Sequence, residues 1–127
     1  MTKALSAKTV TVSASAAESY SGQAAAQRIV EALGNNVTAD LLGTSRSQPS
    51  RWRTGKEQPS ADSRKRIADL DYVLDRLLLE LHPDQVGMWL TSANAHLGGA
   101  RPVDVLQARG AVGVIPAIDA LAAGAFA

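Results

Sequence analysis

The sequence predicts an all-α protein, and three observations lead there. The stretch Asp62–Leu81 places Ile67, Leu70, Leu74, Leu77, Leu78 and Leu81 at helical spacing, with Val73 widening the stripe and no Gly or Pro inside it. The remaining apolar runs are short and punctuated by Pro where a helix opens and Gly where one closes. Strand-like alternation occurs only at Thr9–Ser13, around Val10 and Val12, and a lone strand needs a partner.

The long stretch is the spine of the chain. Roughly twenty helical residues span about 30 Å, the width of a small domain. Ser60 or Asp62 supplies an N-cap oxygen, and Pro83 forces the residue before it out of the helical region. Ahead of the spine the expected helices are Ser21–Leu33, closed by Gly34, then Thr38–Leu42, then Ser45–Thr54, closed by Gly55. In the first, Ala25, Ile29, Val30 and Leu33 share a face. Asn35 and Asn36 suit a turn, Ser45 or Ser47 suits the third cap, and Pro49 is tolerated in the first turn. Beyond the spine, Asp84–Leu90 is amphipathic, Thr91–Arg101 is a loop, Pro102 opens a short helix with Val103 and Leu106 inward, and Gly110–Gly113 breaks the chain. Val114–Ala123 closes it, with Ile115, Ile118, Leu121 and Ala122 on one face.

Charge divides the chain as the helices do. The overall formal charge is +1, yet residues 46–66 hold seven basic side chains (Arg46, Arg51, Arg53, Lys56, Arg64, Lys65, Arg66) against Glu57 and Asp62. Residues 67–127 hold three basic against seven acidic groups. Such segregation points to a local polyanion site on an otherwise neutral molecule. The expected organisation is a disordered Ser/Ala/Thr-rich segment 1–21, a DNA-binding module 22–61, a linking helix 62–81 and a docking module 82–127. Cysteine is absent, which removes thiol catalysis, disulfides and cysteine–zinc sites. No apolar run reaches the roughly twenty residues of a membrane span, and the N-terminus has no secretory core, so a cytoplasmic setting is expected.

Within the basic block, Asn35–Thr54 has the spacing of a helix–turn–helix. Ala39 sits four residues before Gly43, allowing close helix approach, and the glycine provides the turn. Leu42, Pro49 and Trp52 supply apolar contacts, which makes Trp52 a core anchor rather than a base-stacking residue. With the second helix in the major groove, Arg46, Ser47, Ser50 and Arg51 face base edges, and the arginine fork matches guanine. Arg53, Lys56, Arg64 and Lys65 suit phosphates, which position a protein without reading sequence.

Residues 82–127 lack catalytic chemistry. His82 and His96 are the only histidines and have no metal-binding spacing, and Ser92, His96 and Asp104 have no glycine elbow to frame a nucleophile. No enzymatic activity, cofactor or metal is expected. Short apolar helices broken by glycines instead suggest a docking surface or a dimer seam.

The run WLTSANAHLGGARPVDVL is similar to the signature of the Xre/MbcA/ParS antitoxins, in which a tryptophan is followed by an asparagine, a leucine–glycine pair and a proline opening a helix. Here these are Trp89, Asn94, Leu97, Gly98 and Pro102. The stretches YVLDRLLLELHPDQVGMWL and AIDALAAGAFA resemble the MbcA-like subgroup, and the resemblance covers about residues 23–127. The chain departs from the family where an asparagine–proline pair is usual, reading Asn94–Ala95. The resemblance implies an antitoxin paired with a RES-domain toxin that consumes NAD. It further implies that the helix–turn–helix represses the shared operon and that the C-terminal end obstructs the toxin's NAD pocket. Carried over by position, the toxin-facing residues are Trp89, Asn94, Leu97, Gly98, Arg101, Pro102, Gly124, Ala125, Phe126 and Ala127. The implied assembly is a homodimer or a higher hetero-oligomer with toxin. The alternative is a stand-alone helix–turn–helix regulator whose C-terminal module only dimerises.

Overall fold

The structure, a computed structural model, describes residues 22–124. The expected strand at Thr9–Ser13, the segment 1–21 and the tail residues Ala125–Ala127 lie outside the described residues. Within them every regular element is helical. In chain order these are α1 (Gln23–Leu33), α2 (Asn35–Leu42), α3 (Gln48–Thr54), α4 (Ala61–Leu77) and α5 (Pro83–Thr91). A 3₁₀ turn (Ala95–Leu97), α6 (Pro102–Arg109), a second 3₁₀ turn (Ala111–Gly113) and α7 (Ile115–Ala122) follow.

The spine, α4, is capped as expected. Ser60 Oγ accepts from the Ser63 amide at 3.1 Å, satisfying one of the free N–H groups of the first turn. Ile67, Leu70, Val73, Leu74 and Leu77 are all at most 2% exposed. Burying each such side chain contributes roughly 1.5–3 kcal/mol. The helix ends at Leu77, short of the expected Leu81. Pro83 opens α5 and holds His82 extended (ψ 152°), so the chain must reverse over 78–82. The amides of Glu80 and Leu81 both close onto the Leu77 carbonyl, at 2.9 and 2.8 Å. Leu78 consequently leaves the stripe and is exposed, while Leu81 is only half-buried.

Two elements before the spine also differ from expectation. Asn35 and Asn36 are helical, not a turn, because Gly34 (φ 85°, ψ 161°) ends α1 and starts α2 in a single residue. Its N–H donates to the Val30 carbonyl at 2.7 Å and its own carbonyl accepts from Thr38 Oγ1 at 2.7 Å. The third helix begins at Gln48 rather than Ser45. The Ser45 and Ser47 hydroxyls meet each other at 3.2 Å and neither caps the helix. Pro49 has no N–H and a preset φ, so the helical ladder starts around it and leaves 45–47 as a turn. In α1 the inward face is Ala25, Ala26 and Ile29, with Val30 and Leu33 half-buried. In α7 the inward set is Val114, Ala117 and Ile118, leaving Ile115 and Leu121 half-buried and Ala122 exposed. The reason is that the cap residue Val114 is itself fully buried, which starts the i, i+3, i+4 stripe one position early.

One hydrophobic cluster runs through the described residues, joining Ile29, Trp52, Ile67, Leu74, Val86, Leu90, Leu106 and Ile118. Polar ties cross it on the outside. Arg28 pairs with Asp71 at 2.6 Å between α1 and α4, and Arg76 with Asp119 at 2.9 Å between α4 and α7. Two surfaces are thereby fixed to one spine, a basic one on α2–α4 and an apolar one after Leu77.

Candidate functional site

On the basic side, α2 and α3 are joined by the turn 43–47. Gly43 (φ 67°) lets its own N–H reach the Asp40 carbonyl at 3.2 Å and that of Thr44 the Ala39 carbonyl at 3.0 Å. Asn35 Nδ2 donates to the Arg46 carbonyl at 2.6 Å, strapping the turn to the start of α2. Arg46 therefore sits in the turn rather than on the helix, with its guanidinium 3.4 Å from the Asp40 carboxylate. Both side chains are more than 60% exposed, so the pair is weak and the arginine is free to exchange partners. Arg51 lies 3.9 Å from Glu57, whose other oxygen accepts from Gln48 Nε2 at 2.7 Å. Ser47, Arg53, Lys56 and Lys65 are exposed and Ser50 is half-buried.

Helix α3 is held from behind. The Gln23 and Gln27 amides donate to the Arg53 carbonyl at 3.2 and 3.0 Å, and Trp52, 4% exposed, fills the core beneath. Trp52 is the anchor its spacing predicts, with its indole N–H unpartnered. Arg64 is half-buried and donates to the Pro59 carbonyl at 3.2 Å, so it also holds the loop that enters α4. Arg66, outside the sequence-predicted set, pairs with Asp62 at 3.3 Å. It also lines a polar depression of about 140 Å³ with Thr44, Trp52 and Ser63.

On the other side, the structure separates the sequence-predicted residues into those that build the surface and those that show on it. Asn94 is 1% exposed. Its Oδ1 accepts from the His96 amide at 2.9 Å, its N–H donates to the Ala100 carbonyl at 3.0 Å, and its carbonyl accepts from Leu97 and Gly99. It organises the 94–100 loop from within. Pro102 is buried at the first position of α6. Gly98, Arg101 and Gly124 are exposed, and Trp89 and Leu97 are half-buried. Arg101 binds Asp104 through two contacts of 2.8 Å, which holds the Asp104 carboxyl below the usual carboxylate range. Helix α7 packs beside the 3₁₀ turn of Ala95–Leu97, so the base of the tail and the Asn94 loop are neighbours.

Ser92 donates to the Met88 carbonyl at 2.7 Å and Asp104 is committed to Arg101. Among the described residues no group of three His, Cys, Asp or Glu side chains is placed to hold a metal, and no helix is long and apolar enough to cross a membrane.

Sequence reasoning missed the most exposed large apolar side chains among the described residues. Leu79 is 77% and Met88 74% exposed, on either side of the α4–α5 joint. A signal was available. Leu77, Leu78 and Leu79 are consecutive, successive helical residues lie about 100° apart, and three in a row cannot all face one core.

The described residues are helical throughout, and comparison with known proteins gives their class as antitoxins: the chain belongs to the Xre/MbcA/ParS antitoxin family. Residues 77–124 match the family described as the antitoxin Xre/MbcA/ParS C-terminal toxin-binding domain. The chain is similar to the mycobacterial cidal antitoxin MbcA of Mycobacterium tuberculosis, and equally to that of Mycobacterium bovis. In each case the identity is 32% over 99 residues, covering 76% of this chain and 88% of the relative. Among solved structures it resembles a chain in the crystal structure of the M. tuberculosis MbcT–MbcA toxin–antitoxin complex. The TM-score is 0.68 at 29% identity, covering 83% of this chain and 96% of that one.

Proposed function

We propose that this chain neutralises a RES-domain toxin by obstructing its NAD pocket and represses the shared operon through the helix pair 35–54. The observation that carries the reading is the match of residues 77–124 to a toxin-binding domain, in a chain that aligns along nearly the whole of an antitoxin solved with its toxin. The division of labour follows the charge. The module 22–61 meets operator DNA, 62–81 links, and 82–127 meets the toxin, in a cytoplasmic homodimer or larger hetero-oligomer. In the toxin-facing set, Trp89, Leu97, Gly98, Arg101 and the tail Gly124–Ala127 make contact, while Asn94 and Pro102 hold the loop in shape. Phe126 is the one large side chain of the tail, and burying it contributes roughly 1.5–3 kcal/mol to the complex.

On the DNA side, Arg46, Ser47, Ser50 and Arg51 read bases, and Arg53, Lys56, Arg64 and Lys65 meet phosphates. The exposure of Arg46 and Arg51 and their weak ion pairs support this reading, because either can leave its carboxylate for DNA at little cost.

The test is NAD consumption by the RES-domain protein encoded beside this chain, mixed with full-length protein or with a form lacking Gly124–Ala127. Suppression by the full chain and release by the truncated one is expected. Equal suppression by both removes the tail from the mechanism. No suppression by the full chain, with operator binding intact, leaves a stand-alone regulator.

A further inference from the structure

We propose that the joint between α4 and α5 is the anchoring groove for an apolar segment of the toxin that carries basic residues at its flanks. Two depressions meet there. One, an open groove of about 550 Å³, is walled by Leu81, Met88 and Trp89, with Asp84 on its rim. The other, about 210 Å³, is walled by Leu78, Leu79 and Leu81, with Glu80 and His82 at its edge. Leu81 lines both, which joins a mainly apolar groove to a mainly polar one along a single track. Met88 and Leu79 stand 74% and 77% exposed along it.

The track is a consequence of how the spine ends. Because the helix stops at Leu77, Leu78 leaves the buried stripe and comes to the surface beside Leu79, whose position three-in-a-row with Leu77 and Leu78 puts it off that stripe. Side chains this apolar and this exposed, set along two depressions that share Leu81, mark an interaction surface. The chemistry of the occupant follows from the rim. Glu80 and Asp84 bring two carboxylates, His82 is the one other titratable group lining either depression, and the whole stretch 67–127 is acidic. A second copy of this chain would set that acidic rim against itself in an isologous contact, which like charges oppose. A partner with an apolar ridge and flanking Lys or Arg satisfies both wall and rim. The track also lies inside residues 77–124, the part that matches a toxin-binding domain. The inference therefore rests on the antitoxin reading and extends it to a surface that the tail does not supply.

The experiment is a titration of the full chain against the RES-domain toxin encoded beside it, read as Kd at two salt concentrations. Met88→Asp and Leu79→Asp, both at exposed positions, are expected to weaken binding by about tenfold or more with an unchanged Tm. Met88→Ser, which adds no charge, is expected to weaken binding in the same direction. Glu80→Gln combined with Asp84→Asn should flatten the salt dependence. Wild-type affinity in Met88→Asp and Leu79→Asp overturns the groove while leaving the antitoxin reading intact. So does a change in self-association of the chain alone without a change in Kd, which would assign the track to a second copy. Wild-type protein that binds no toxin overturns both.

Discussion

Gln107 of α6 donates its side-chain N–H to the main-chain carbonyl of Leu41 in α2 at 2.9 Å, across 66 residues of sequence. The last carbonyls of a helix have no partner within it. Those of Ala39 and Asp40 are taken by the turn amides of Thr44 and Gly43, and that of Leu41 by the far end of the chain. The bond joins the module assigned to DNA to the module assigned to toxin. Gln107→Glu keeps the shape and removes the donor. It is expected to cost about 1–3 kcal/mol, because a half-buried acceptor is left unpaired and faces a carboxylate. Equilibrium urea unfolding measures this, and a shift of less than a few tenths of a kcal/mol would show the contact to be incidental.

Asn94 is expected to act on folding before it acts on binding. Asn94→Ala removes the acceptor of the His96 amide in a loop whose other bonds converge on the same residue. The expected loss is about 1–3 kcal/mol of stability. Binding to toxin should fall through the shape of the loop, while Arg101→Ala should leave stability nearly unchanged, since its pair with Asp104 is half-exposed. Thermal unfolding of the two variants separates them.

Helix α3 and the start of α4 should differ in what they contribute to DNA binding. Arg51→Ala is expected to relax sequence preference for the promoter by roughly 1–3 kcal/mol at one position. Lys65→Ala is expected to weaken all sequences alike and to lower the salt slope by about one. Fluorescence anisotropy with specific and scrambled duplexes checks both, and identical behaviour of the two variants would place the helix outside the groove.

Asp104 gives a pH dependence with a definite sign. Its carboxyl is held below the ordinary range, first by the hydrogen bonds from Arg101 and also by the guanidinium charge. A carboxyl depressed in the folded state contributes stability above its unfolded value and loses it as pH falls through the folded one. Protonation of Asp104, followed by NMR of its side-chain carbon, is therefore expected below the usual aspartate range. Arg101→Ala should return it upward. An unshifted titration in the wild-type protein would contradict the geometry.

Much of the architecture was determined by the sequence alone, through periodicity and punctuation. Ile67, Leu70, Val73, Leu74 and Leu77 recur at a spacing only a helix can bury, and all are buried. Ser60, Gly43, Gly55 and Pro102 bound helices for reasons that act within a few residues, and each stands where expected. The inward Trp52 was legible for the same reason. What depended on longer range was not. Only the tertiary structure decided that the spine stops at Leu77, because the chain must turn to seat α5. That stop is what exposes Leu78. Only tertiary packing turned Asn94 and Pro102 inward, gave Arg64 to the Pro59 carbonyl, and rotated α7 so that Val114 leads its buried face. A sequence pattern tells which side chains avoid water. It does not tell which of several apolar side chains will find room in one core, because that is settled by the volume left between helices that are far apart in the chain.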